Sequence, residues 1–182
     1  MSDISWLDPE ELRVFRAFAR STRSLAVRFD QDLQNAVGMP RTYFEILWLL
    51  HQAPGHSLRM SDLAESTLSQ PSRISHAVGR LEKAGQVRRE LCTSDRRGWF
   101  AVLTDEGLAA LQTAAPRYAQ SIREHLLEPL SRTQRDALAQ VGETVLGQLE
   151  LSSEHVLAGE VTGAMGSAPP SATDGSRGPM NR

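Results

Sequence analysis

With 182 residues, 40% of them hydrophobic and 23% charged, the chain is long enough for one well-packed domain and an appendage. No apolar run approaches the roughly 20 residues that span a bilayer, and the opening MSDISWLDPEE lacks the basic start and apolar stretch of an export signal. A cytoplasmic protein with no membrane partner is expected, and the single cysteine, Cys92, excludes an internal disulfide or a multi-thiolate metal site.

The net charge of −2 argues against a nucleic-acid partner until it is read by segment. Residues 56–100 carry eight Lys/Arg against five Asp/Glu, residues 1–55 six against seven, and residues 101–182 six against ten. Only the middle is basic. Phosphate attraction is screened within about 8–10 Å, so a local patch is what counts.

Asp8-Pro9-Glu10-Glu11 announces a first helix, with Asp8 as N-cap, Pro9 at the first helical position and Glu11 closing a capping box. Leu12, Phe15, Ala19, Thr22, Ala26, Phe29 and Leu33 then recur at steps of three and four, and Gly38-Met39-Pro40 ends the run. So long a stripe exceeds what a small domain can cover, which points to a partner chain. A second helix, about Arg41 to Gln52, is apolar almost all round and should form core. After Ala53-Pro54-Gly55, a short helix over residues 60–65 and a tight turn at 66–68 lead to a further helix. Ser69 is its expected N-cap, and Ile74, Ala77, Val78 and Leu81 form its inner face.

The outer face of that helix holds Gln70, Ser72, Arg73, Ser75, His76, Gly79, Arg80 and Lys83, with no acid until Glu82. Such a surface is built to approach something negative. Gly85 ends the helix; Val87–Leu91 and Trp99–Leu103 read as a β-hairpin whose tip contains Asp95, Arg96 and Arg97. Thr104 caps a fifth helix in which Pro116 should cause a bend or a break. Ser131 and Gln134 form a capping box for a sixth, with Leu138, Val141, Val145, Leu146 and Leu149 facing inward. From Gly159 onward 14 of 24 residues are Gly, Ser, Pro or Ala, so a disordered tail is expected from about residue 156.

The expected fold is mainly α with a small β-hairpin wing: a winged helix-turn-helix domain over residues 41–104, flanked by helical regions over 1–40 and 105–155. Short helix, tight turn, polar-faced helix and arginine-tipped hairpin in this order place the second helix of the pair in the DNA major groove. Arg73 and Arg80 can pair bidentately with guanine and Gln70 with adenine, while Ser72, Ser75 and His76 can reach base edges or phosphates. Arg97, with Arg96, suits the narrow minor groove, and Asp95 can orient an arginine of the wing or of the polar-faced helix by a salt bridge.

In the order and spacing of Leu63-Ala64, the run Arg80-Leu81-Glu82-Lys83-Ala84-Gly85-Gln86-Val87, the wing signature Asp95-Arg96-Arg97-Gly98, and Val102-Leu103-Thr104-Asp105-Glu106-Gly107, the chain resembles the MarR family of bacterial transcription regulators. The resemblance covers about residues 9–155. It implies that the helical regions over 1–40 and 105–155 are dimerisation helices, in a homodimer whose first, fifth and sixth helices interlock and which binds palindromic double-stranded DNA, in most cases as a repressor. It implies Arg97 as the minor-groove arginine, Asp95 as its buttress and residues 70–80 in the major groove; Pro71 leaves the start of that helix open by a residue. Relatives often sense a small aromatic or phenolic acid in a crevice that Arg20, Trp48 and His51 would line here.

No cofactor or metal is expected: His51 and His56 lack a thiolate or a carboxylate cluster at ligand spacing. The sequence contains no GxSxG, GxxxxGK[ST] or HExxH signature, so no enzyme is expected. The competing reading is a winged-helix module that docks a protein and leaves its arginines solvated.

Overall fold

The computed structural model describes residues 6–91 and 98–149. Cys92, Asp95, Arg96, Arg97 and the expected disordered tail lie outside the described residues.

Helix α1, Pro9–Val37, starts where Asp8 accepts from the main-chain N–H of Glu10 and Glu11 while the Glu11 carboxylate accepts from that of Asp8. It stops at Gly38, whose φ of 68° suits a residue without Cβ. Helix α2, Arg41–Gln52, is the centre of the core, with Ile46, Leu47 and Leu50 fully buried. A 3₁₀ turn, Pro54–His56, leads into strand β1, Ser57–Arg59, then α3, Met60–Ser66, and α4, Pro71–Lys83. Strands β2, Val87–Leu91, and β3, Trp99–Leu103, precede α5, Asp105–Ile122; a π-helical turn, Arg123–Leu127, joins it to α6, Arg132–Gln148.

The sheet has three antiparallel strands in the order β1-β3-β2, with Leu58 opposite Ala101 and Arg89 opposite Ala101 on its other side. The expected hairpin is therefore the outer part of a small sheet. Strand β1 escapes a pattern reading because Ser-Leu-Arg is too short to show alternation.

Two further expectations need correction. Ser69 is not the cap of α4: Gln70 occupies that position with Pro71 at the first helical place, and the Ser69 hydroxyl donates to Thr67 O at 3.1 Å. Of the bend or break expected at Pro116, the break is absent: α5 is continuous from Asp105 to Ile122. Pro116 and Gln112 are both exposed, so the Gln112 carbonyl that the ring deprives of a donor faces water.

The largest correction concerns α6. Leu138, Val141, Val145, Leu146 and Leu149 do not point into the core of this protomer: they are 41–63% exposed, and no residue of α6 is buried. Val14, Phe15, Phe18 and Val27 of α1 are likewise 50–57% exposed. Between these faces runs a groove of about 1140 Å³, walled by Phe18, Leu25, Leu126, Leu130, Leu138 and Val141.

Aromatic and polar contacts tie the long helices to the core. Tyr118 of α5 meets Phe44 of α2 at 4.7 Å and Phe29 of α1 at 5.9 Å between ring centroids, both edge-on. Beside them Arg41 pairs with Glu45; burial pushes the Glu45 carboxyl up, only partly offset by Arg41. Where α5 runs into its π-helical turn, Asp32 Oδ2 accepts from the Ser121 hydroxyl at 2.8 Å and lies 2.9 Å from His125 Nε2, with Arg28 Nε 3.1 Å from Oδ1. Burial alone would raise the Asp32 carboxyl, but Ser121, His125 and Arg28 together hold it below its ordinary value.

At the sheet edge Thr104 Oγ1 accepts from Gly107 N–H at 3.1 Å and donates to Gly85 O at 2.7 Å. A Cβ on Gly107 would stand 2.1 Å from Gln86 O, a main-chain atom that cannot swing aside. Gly107→Ala should therefore destabilise by about 1–3 kcal/mol or more, even though alanine favours a helix; urea midpoints unchanged from wild type would refute this.

A carboxyl held low in the folded state contributes stability that is complete above its unfolded value, about 4, and is lost as pH falls through the lower folded value. Asp32→Asn should therefore flatten the acid limb of stability below about pH 4 relative to wild type. Coincident acid limbs in urea melts across that range would remove the assignment.

Candidate nucleic-acid interface

Helix α4 is held by its inner face, where Ile74, Ala77, Val78 and Leu81 are at most 5% exposed. At 100° per residue, Ser72, Arg73, His76, Arg80 and Lys83 then fall within an arc of about 100° on the opposite side. All five are exposed, as are Gln70 and Ser75. Among the described residues, the side chains of Gln70, Ser72, Arg73, Ser75, His76 and Arg80 make no hydrogen bond or ion pair. Within the described residues their donors and acceptors are spent on nothing. The sequence-predicted set for the major groove thus shares one helix, although Ser75 lies toward the flank that faces the wing.

Both ends of α4 are defined. Leu68, with φ 47°, closes the turn after α3, and its N–H donates to Glu65 O at 2.9 Å. At the far end Gly85 N–H donates to Glu82 O at 3.0 Å and Gln86 N–H to Leu81 O at 2.9 Å, a Schellman closure with Gly85 at φ 72°. Helix and wing therefore start from one fixed turn.

Pattern reading missed a residue at this interface: Arg89, which appears there only as one more cation of the basic segment. Its guanidinium Nη2 donates to Ser75 O at 2.8 Å, and Nε lies 3.5 Å from Glu82 Oε2. The signal was available in strand parity, since Arg89 shares the face of Val87, which is buried. Nearby, Arg59 stacks over the Phe100 ring at 5.4 Å.

Of the residues expected to line a ligand crevice, Trp48 and His51 come together on α2, their rings 6.1 Å apart, with Trp48 stacked on Phe44 at 6.2 Å. Trp48 Nε1 and His51 Nδ1 are buried and, among the described residues, lack a hydrogen-bond partner. Arg20, on α1, makes no hydrogen bond, ion pair or ring contact with the described residues. His56 stacks on His51 at 5.4 Å with its Nδ1 2.9 Å from His51 O. Among the described residues no group of three or more His, Cys, Asp or Glu side chains is placed to hold a metal ion, and no helix is long and apolar enough to cross a membrane.

Comparison with known proteins bears directly on this geometry. The MarR family model matches residues 39–98, which span α2 to the start of β3. The structure is similar to that of Sco3205, a MarR family transcriptional regulator from Streptomyces coelicolor solved in complex with DNA. Identity is 39%, the alignment covers 81% of this chain and 92% of that one, and the TM-score is 0.76. It is also similar to AbsC, a MarR family transcriptional regulator of the same organism, at 36% identity, with 82% and 100% of the two chains covered and a TM-score of 0.74. Among curated proteins, the HTH-type transcriptional regulator MhqR of Bacillus subtilis (strain 168) is 26% identical over 115 residues, 63% of this chain and 77% of that protein. A winged helix whose fourth helix turns a polar face outward, matched over most of its length by regulators of one kind, makes this chain a member of the MarR family of transcriptional regulators, proteins that control transcription and are not enzymes.

Proposed function

We propose that the chain is a cytoplasmic, homodimeric repressor that binds a palindromic operator. The outer face of α4 enters the major groove through Gln70, Ser72, Arg73, Ser75, His76 and Arg80; the wing tip, with Asp95, Arg96 and Arg97, enters the adjacent minor groove. The observation that carries this reading is the set of unpaired hydrogen-bonding side chains on one face of a helix whose other face is locked in the core. That set offers the donors a base edge requires, and the likeness to a regulator solved on DNA supports the same orientation.

The homodimer is supported by the exposed apolar faces of α1 and α6. A contiguous apolar surface of that kind marks an interaction site on a soluble protein. Residues 1–40 and 105–155 would then be dimerisation regions around a DNA-binding domain at 41–104. Twofold symmetry would set the half-sites about one helical turn, roughly 10 bp, apart. The unsatisfied Trp48 Nε1 and His51 Nδ1 support a small aromatic or phenolic ligand that reaches them, with Arg20 as its counter-charge, and shifts the spacing of the two α4 helices.

Fluorescence anisotropy on a duplex from the region upstream of the protein's own gene tests the reading. Affinity should fall steeply with salt, by about 0.9 log units per tenfold salt for each phosphate contact. Arg73→Ala or Arg80→Ala should cost about 1–3 kcal/mol and relax specificity at one base pair, whereas Arg97→Ala should weaken binding to all sequences and reduce the salt slope by about one. Binding that ignores salt, or three variants with wild-type affinity, would leave the protein-docking reading instead. A monomer at micromolar concentration in sedimentation would end the dimer, and substituted benzoates that neither bind nor release DNA would end the ligand.

A further inference from the structure

Arg89 is the cation of the basic segment that turns inward. Strand alternation gives it the face of buried Val87, while Arg88 points away, 58% exposed and paired with Glu90 at 2.7 Å. From that inner face the Arg89 guanidinium reaches across to the flank of α4 and grips it at two levels. Nη2 donates a hydrogen bond to the main-chain carbonyl of Ser75, and Nε, buried and without a hydrogen bond among the described residues, forms a looser ion pair with Glu82 Oε2 at 3.5 Å, about two helical turns further on. In an α-helix the Ser75 carbonyl also accepts from Gly79 N–H, and a carbonyl has two lone pairs, so Arg89 takes the second without opening the helix. Residue 79 is where the guanidinium passes: a Cβ there would stand 3.3 Å from Nη2.

We infer that Arg89 is a positioning residue for DNA binding, a strap that sets the angle between the wing and the recognition helix. The inference rests on the proposed placement of α4 and the wing in adjacent grooves, because only then does the angle between them matter to affinity. Three features carry it. The main anchor on α4 is a backbone carbonyl, so what is held is the position of the helix and not a particular side chain. The guanidinium is a rigid planar fork, able to hold two acceptors at fixed separation, which a flexible ammonium cannot do. Its charge is already engaged by Glu82 and a carbonyl, and its side chain is only 29% exposed, so it is poorly placed to neutralise a phosphate.

The test uses the full-length protein, the upstream duplex and a scrambled duplex of the same composition, with anisotropy titrations between about 50 and 200 mM salt. Arg89→Met keeps the aliphatic stem and should weaken upstream-duplex binding about tenfold, the size of one lost base contact, with the salt slope of wild type. Arg89→Lys restores charge without the fork and should stay close to Arg89→Met. Gly79→Ala places a methyl group against Nη2 while favouring the helix. It should weaken binding without lowering the melting temperature, and should cost nothing more when added to Arg89→Met.

The strap is overturned by wild-type affinity in Arg89→Met, by full recovery in Arg89→Lys, or by a salt slope lower by about one, which would make Arg89 a phosphate contact. Should Arg89→Met fail to fold, Gly79→Ala alone decides, and wild-type affinity in it overturns the strap. A wild-type protein that ignores both duplexes removes the DNA-binding reading and the strap's purpose with it. Failure of the variants alone removes only the strap.

Discussion

The exposed polar face of α4 exists because its other face cannot leave the core. Ile74 and Val78 are fully buried and Leu81 nearly so, against a centre formed by Ile46, Leu47, Leu50 and Leu63. Burying side chains of this size contributes about 1.5–3 kcal/mol each, so rotating the helix by even one residue position would forfeit several such terms. Rotation is thereby excluded, and the azimuth of Arg73, His76 and Arg80 follows from apolar packing. A recognition surface made of long, flexible side chains owes its precision to the short, stiff ones behind it.

Helix α5 carries that precision to the other end of the molecule. It begins at the sheet edge, where Thr104 joins Gly85, the terminator of α4, to the first turn of α5, and where Gly107 lets the helix pack directly on Gln86. It ends against α1, where Ser121 and His125 close on Asp32. Between these points Tyr118 sits edge-on to rings from both α1 and α2. One continuous helix, unbroken at Pro116, thus touches the turn that ends the recognition helix and the faces left open on α1. A displacement at either end has a rigid element to travel along.

What could be read from the sequence was what local chemistry decides. Both capping boxes, the left-handed glycines at 38 and 85, the strand pair 87–91 and 99–103 and the inner face of α4 depend on residues a few positions apart, and each stands where the pattern puts it. What escaped depends on partners distant in the chain. Strand β1 is a strand only because Phe100, Ala101 and Val102 lie beside it. Arg89 reads as one cation among eight until Ser75 and Glu82 are seen across from it. The stripe on α6 was legible as a stripe, but periodicity reports which residues share a face and not which chain that face meets. Leu138, Val141 and Val145, expected to face inward, are 41–49% exposed on the protomer. For Pro116 the rule that proline breaks helices was outweighed because the lost bond falls on the solvent side.

Charge distribution completes the argument about direction. The basic residues of the middle segment are not equivalent: Arg88 and Arg89 are held by Glu90, Glu82 and Ser75 O within the sheet and its junction with α4, whereas among the described residues Arg73 and Arg80 meet no acid. The acids are spread almost evenly along the sequence, and what varies is the bases: residues 56–100 carry eight Lys/Arg against five Asp/Glu, residues 1–55 six against seven and residues 101–182 six against ten. The excess of base in the middle segment thus gives the α4 face the sign that attracts a polyanion. Since screened fields act over about 8–10 Å, that asymmetry survives at the scale of one domain while the net charge does not matter. An acidic protein can present a basic face wherever its fold keeps the two populations of charge further apart than the screening length.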